Sequence, residues 1–168
     1  MLLIVLECKV SDRNRINGYD FDIEAMTSFE GDTGPYLQYS HARLCSIIKK
    51  AGVSDNTNAN LSLLIEPHAT NLVRTLAQFP DVVQFTMKTL EPTNILTYLF
   101  HLTHSLNSSY DVLRVVGSPE EVMKARLQLF RSTRDVLNHG MRLLGLSPVD
   151  RYALAKFSPT SLTGLLRM

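Results

Sequence analysis

The sequence predicts an all-α protein, an antiparallel bundle of about five helices. Three observations predict it: the placement of the prolines, apolar residues that recur every three or four positions, and short connections between the periodic runs. Pro35, Pro67, Pro80, Pro92 and Pro119 each stand just ahead of such a run. A proline in the first helical turn removes an N–H that has no partner there, and its ring sets a helical φ. Each therefore marks a helix start.

The elements come in order. Pro35 opens a helix through Leu37, Leu44 and Ile48, an apolar stripe. Ser54 to Asn60, SDNTNAN, consists of turn formers and reads as a loop. Pro67, Pro80 and Pro92 open the next three helices. The third of these carries Leu96, Leu99, Thr103, Leu106, Tyr110 and Leu113 on one face, and the last helix carries Val122, Leu129, Val136 and Leu143 at steps of seven. In Ser118-Pro119-Glu120-Glu121 the serine is placed to cap the last helix and Glu121 to complete a capping box. That helix is expected to end at Leu144, with Gly145 as a left-handed cap and Pro148 beyond. Short connections between amphipathic helices favour an up-and-down arrangement.

Length and composition bound the function. With 168 residues, 45% hydrophobic and 20% charged, the chain suffices for one domain with a core. Two cysteines, Cys8 and Cys45, make no disulfide framework and no CxxC metal or redox spacing. The apolar start MLLIVLEC has neither the length of a membrane span nor the basic region of a signal peptide, so no membrane partner is expected. Net charge is +1, but unevenly distributed. Residues 1–109 hold eight Lys/Arg against eleven Asp/Glu, and residues 110–168 hold nine against five. A near-neutral chain can thus still present a local basic face to phosphate.

The stretch Phe29 to Arg43, FEGDTGPYLQYSHAR, concentrates aromatic, amide and cationic side chains behind a Gly-rich loop. If Pro35 starts the helix, Tyr36, Tyr39 and Arg43 fall at i, i+3 and i+7, on one face. Residues of these types stack on splayed nucleic-acid bases and bond their edges. The same spacing also describes a stripe of core residues, and spacing alone leaves both readings open.

This stretch resembles the C-terminal part of an arginyl-tRNA synthetase. The resemblance extends through FPDVVQF at Phe79 to Phe85, YLFHLTHSLNSSYDVLRVVG at Tyr98 to Gly117, and LNHGMRLLGLSPVDR at Leu137 to Arg151. More narrowly it is similar to the all-helical DALR anticodon-binding domain of that class I enzyme, with Asp111-Val112-Leu113-Arg114 close to the four letters of the name. The resemblance implies binding of the anticodon loop of an arginine tRNA. It assigns that role to Tyr36, Gln38, Tyr39 and Arg43 on the first helix, to Tyr110 on the fourth, and to Arg151. Tyr110 keeps an alternative reading, a core tyrosine with its hydroxyl at the rim.

Some family features are missing. The HIGH-like and KMSKS-like ATP motifs are not in the sequence, and Arg151-Tyr152 stands where the family commonly ends in Arg-Met. The resemblance therefore implies ATP and Mg for a parent enzyme, with neither a cofactor nor catalysis for this chain, and a catalytic domain as its protein partner. The expected organisation is a remnant of an interdomain connection over 1–22, the bundle over 23–151, and an atypical tail over 152–168, the pattern of a fragment. Peptide mapping that found a mature protein running from Met1 to Met168 would refute the fragment. Cytoplasmic use is the default expectation.

Other candidates are weaker. Lys124, Arg126, Arg131, Arg134 and Arg142 read as a solvated face from which a subset could meet phosphate. His101 and His104 lack a third metal ligand nearby in sequence. His41 and Cys45, at i and i+4, lack an oxyanion loop and an orienting third residue, so Cys45 reads as buried. The competing function class is a docking module that uses apolar surface at Leu2 to Leu6 and in the tail.

Overall fold

In the computed structural model, residues 32–52 and 59–151 are described. The expectations for the apolar start, for most of the loop at 54–60 and for the tail from Tyr152 lie outside them. Five α-helices and one 3-10 turn account for the regular structure among the described residues, as the sequence predicts: α1 (Gly34–Ala51), the turn Leu61–Leu63, α2 (Pro67–Ala77), α3 (Phe79–Thr89), α4 (Thr93–Ser109) and α5 (Glu120–Leu143).

Pro35, Pro67 and Pro80 occupy first-turn positions, whereas Pro92 and Pro119 are themselves the N-cap residues. The capping box at Ser118 does not form. Pro119 has an extended ψ of 144°, and the Ser118 hydroxyl donates to the Arg114 carbonyl at 2.7 Å while accepting from Arg126 at 2.9 Å. At the other end the left-handed cap is where the sequence puts it. Gly145 has φ 80°, its N–H reaches the Arg142 carbonyl, and the Leu146 N–H reaches Met141 at 2.9 Å. This double closure satisfies carbonyls that the helix end leaves open, and buries Leu146.

The core forms around α4. Leu96, Leu99, Leu102 and Leu106 are fully buried against Leu37 and Leu44 of α1, Leu72 of α2, and Leu127, Phe130, Leu137 and Met141 of α5. Leu96, Leu99, Thr103 and Leu106 form the expected stripe on α4, but the helix ends at Ser109, so the partly exposed Tyr110 and the buried Leu113 lie past it. On α5 the steps of seven fail as a core stripe, since Leu143 is exposed. A straight helix drifts by about 20° per heptad, so three heptads carry the last position off the buried face. Gly140 lets α5 come close to α4: a Cβ there would stand 2.6 Å from Leu99 Cδ2.

α3 contributes no fully buried residue. It is held by Phe79, stacked on Tyr98 at 5.7 Å between ring centres, while the Tyr98 hydroxyl donates to the Thr75 carbonyl. Phe85, Met87 and Leu90 remain exposed around it. Opposite, Arg126 of α5 donates to the Arg114 carbonyl and to the Glu66 carboxylate, joining the start of α2 to the α4–α5 connection.

Candidate nucleic-acid interface

α1 has two functional sides. Leu37 and Leu44 face the core, which leaves Tyr36, Tyr39 and Arg43 only partly covered. Arg43 lies over the Tyr110 ring, its guanidinium carbon 3.8 Å from the ring centre. Such a contact contributes about 0.5–2 kcal/mol. Tyr110 in turn packs edge-on against Phe130 at 5.8 Å. Burial raises its phenol pKa, with Arg43 opposing that shift and Tyr39 and Tyr36 adding to it, so all four side chains share one electrostatic neighbourhood. The Tyr110 hydroxyl is buried and has no hydrogen-bond partner among the described residues. A cleft of about 210 Å³ opens beside it between Arg43, Ile47, Arg114, Val116 and Phe130.

Residues of α4 that the sequence reading did not assign complete the face. Asn107 donates its side-chain N–H to the Tyr36 hydroxyl, and the Tyr36 ring tilts against His104 at 5.8 Å. His104 Nε2 in turn lies 2.8 Å from Asp32 in the loop before α1. Burial, then Asp32, pushes the Tyr36 phenol above its ordinary pKa, so it stays protonated and able to donate. The spacing could have shown these two, because His104 and Asn107 precede Tyr110 by six and three positions, a helical step that runs to the C-cap of α4.

Gln38 stands apart from its neighbours. It is 2% exposed, and both ends of its amide serve the chain itself: Nε2 donates to the Ser147 carbonyl and Oε1 accepts from Val149 N–H, each at 2.9 Å. Its expected place on the open face is thereby corrected. On the helical wheel Gln38 shares a side with His41 and Cys45, turned away from Tyr36 and Arg43, and buried amides require partners. His41, also buried, places Nδ1 2.9 Å from the Val149 carbonyl. A carbonyl only accepts, so Nδ1 carries the proton, and Nε2 accepts from Asn138 at 3.3 Å. Together Gln38 and His41 hold residues 147–149 against α1, two positions before the exposed Arg151.

The last-helix cations are mostly committed. Lys124 pairs with Glu120 and Glu121, Arg126 is in the α2 clamp, Arg131 is buried, and Arg134 pairs with Asp135. Arg142 is exposed, its Nε on Asn138. Cys45 is half-buried rather than buried, because Asp150 borders it at the surface. Burial and Asp150 raise its thiol pKa. With Nδ1 already protonated, His41 cannot deprotonate the thiol, which rules against a nucleophile and base pair in this arrangement.

Residues 37–151 match the model of the DALR anticodon binding domain. The chain belongs to this family. The chain is 56% identical over 140 residues to the Saccharomyces cerevisiae protein "Arginine--tRNA ligase, cytoplasmic", covering 82% of this chain and 23% of the relative. It is 50% identical over 143 residues to the Schizosaccharomyces pombe "Probable arginine--tRNA ligase, cytoplasmic", covering 84% and 23%. Among solved structures it is similar to Thermus thermophilus arginyl-tRNA synthetase, with a TM-score of 0.81 and 30% identity over 89% of this chain and 26% of that one. The DALR chain thus spans about a quarter of the length of the proteins it matches. No helix among its described residues is long and apolar enough to cross a membrane.

Proposed function

We propose that this domain binds the anticodon loop of an arginine tRNA through Tyr36, Tyr39, Arg43 and Tyr110, with Arg151 at the edge of the face. The observation that carries the reading is the stack of Arg43 on Tyr110 beside an open cleft. Loop bases are single-stranded, so a protein reads them with planar faces and edge-directed donors. The stack supplies a guanidinium plane held in position, Tyr36 and Tyr39 supply neighbouring aromatic faces, and the Tyr110 hydroxyl, buried with no partner among the described residues, supplies a donor to a group that enters the cleft. Gln38 acts behind the face, as the support of the segment that leads to Arg151.

In the relatives named as arginine–tRNA ligases, tRNA binding serves attachment of arginine. In our reading this chain contributes that binding, within a longer enzyme of the cytoplasm whose catalytic domain is its protein partner. ATP and Mg act in that other part and engage no residue of this chain. The purified chain is expected to bind tRNA and to give no arginylation with ATP and arginine. Turnover by the chain alone would refute this division.

The deciding experiment is binding to an arginine tRNA transcript, beside the same tRNA with altered anticodon bases and an unrelated tRNA, each at two salt concentrations. Preference for the intact anticodon, lost in Tyr39→Ala and Arg43→Ala, is the expected result. Equal and steeply salt-dependent binding to all three would reduce the contact to phosphate attraction. The docking reading rests on Leu2 to Leu6 and the tail, which lie outside the described residues, and RNA binding is the reading that the family supports.

A further inference from the structure

The side of α1 that faces residues 147–150 brings together three side chains of metal-binding type that the RNA reading does not use. The ligating atoms of His41, Cys45 and Asp150 all lie within 4.8 Å of one another. Cys45 Sγ is 3.8 Å from His41 Nδ1 and 3.7 Å from Asp150 Oδ1. A tetrahedral zinc with bonds of about 2.0–2.3 Å holds its donor atoms about 3.3–3.6 Å apart. The two sulfur distances are therefore already close to the edges of such a tetrahedron.

We propose that His41 Nδ1, Cys45 Sγ and Asp150 Oδ1 form a binding site for a thiophilic divalent cation of the zinc class, which fastens residues 147–150 to α1. Thiolate, imidazole and carboxylate together suit a borderline-soft ion and not magnesium or calcium. Three protein ligands leave one position for water.

Binding requires a defined exchange of protons. The Cys45 S–H bond breaks, its proton goes to solvent, and the sulfur–metal bond forms. The proton on His41 Nδ1, now donated to the Val149 carbonyl, must move to Nε2 so that Nδ1 can ligate; the hydrogen bond to Val149 breaks, its carbonyl turns to solvent water, and Asp150 on the metal takes over the tie to α1. Nε2 then needs an acceptor, and Asn138 supplies one when its amide turns to present Oδ1. That atom now accepts from Arg142, an exposed side chain that can bond water instead. Asn138 thus becomes the outer partner that fixes the imidazole. The nearby cation, Arg134, is already paired with Asp135 at 2.7 Å, which reduces its opposition to a metal.

Cobalt(II) is the probe for the test, titrated into the full chain under reducing conditions without RNA. The expected result is one cobalt per chain, with thiolate-to-cobalt charge-transfer absorption and the strong visible bands of a tetrahedral site. Cys45→Ser should abolish the charge-transfer band and Cys8→Ser should retain it. Asp150→Asn, at an exposed position that does not threaten folding, should weaken binding by about tenfold or more. The absence of the band, its survival in Cys45→Ser, or an affinity unchanged by Asp150→Asn would overturn the site. Because no tRNA is present, failure here leaves the anticodon reading intact.

Discussion

The guanidinium of Arg43 rests 3.8 Å from the centre of the Tyr110 ring, so that a residue of the first helix is positioned by one just past the end of the fourth. Charge alone does not supply this geometry; it needs a planar cation. Arg43→Lys keeps the charge and loses the plane. We expect it to weaken tRNA binding by about tenfold with an unchanged salt slope, whereas Arg43→Ala should also lower the slope by about one phosphate contact. Binding measured across a salt series separates the two.

Tyr110 raises a second expectation. Its buried hydroxyl has no partner among the described residues, and an unsatisfied polar group costs about 1–3 kcal/mol. Tyr110→Phe should therefore leave the free chain as stable as before or slightly more so, in denaturant unfolding, while weakening tRNA binding. A clear loss of stability would reveal a protein partner for the hydroxyl.

Gln38→Ala removes two hydrogen bonds to residues 147 and 149. We expect a stability loss of about 1–3 kcal/mol and a larger local effect. Hydrogen exchange should accelerate selectively over residues 146–151. Uniform acceleration along the chain would mean that the glutamine supports the whole bundle instead.

Glu66 gives a pH dependence. Its hydrogen bond from Arg126, the largest cause, holds the carboxyl below the ordinary carboxylate range. A depressed folded pKa adds stability that is complete above the unfolded value, about 4.3, and lost as pH falls through the lower folded one. Glu66→Gln should thus cost about 1–3 kcal/mol at neutral pH, and its deficit relative to the parent chain should shrink in acid. Denaturant unfolding at several pH values reads this directly.

Gly140→Ala places a methyl 2.6 Å from Leu99 Cδ2. The leucine terminus can move, and alanine is the better helix former by about 1 kcal/mol, but a full core resists added volume at about 1–3 kcal/mol. A small net decrease in melting temperature is expected. An increase would mean that α4 and α5 separate without cost.

The legible part of this fold was what local chemistry controls. Pro35, Pro67 and Pro80 mark helix starts because ring geometry acts wherever they stand, and Gly145 marks an end because its φ of 80° is one that other residues resist. Ser118 departs from its expected capping role because its hydroxyl donates to the Arg114 carbonyl and accepts from Arg126, eight residues along, a partner that only the docked helix supplies. The same holds for the interface. Tyr36, Tyr39 and Arg43 share a face by spacing, but that Gln38 turns inward depends on a segment 109 residues away. In the sequence His104 stands out only as a weak metal-ligand candidate, and Asn107 lies beside a stripe whose leucines point to the core. Their polar neighbours at the same three-residue step carried the missing signal.

Both α1 side chains that grip the segment before Arg151 do so through its main chain, the Ser147 and Val149 carbonyls and the Val149 N–H. Peptide groups are the same whatever side chain they bear, apart from the N–H that proline lacks. The path of this segment is therefore insulated from its spelling. Mutational drift at 147 and 149 can pass without displacing Arg151, while a single change at Gln38 cannot, and the burden of keeping that arginine in place rests on a helix more than a hundred positions upstream.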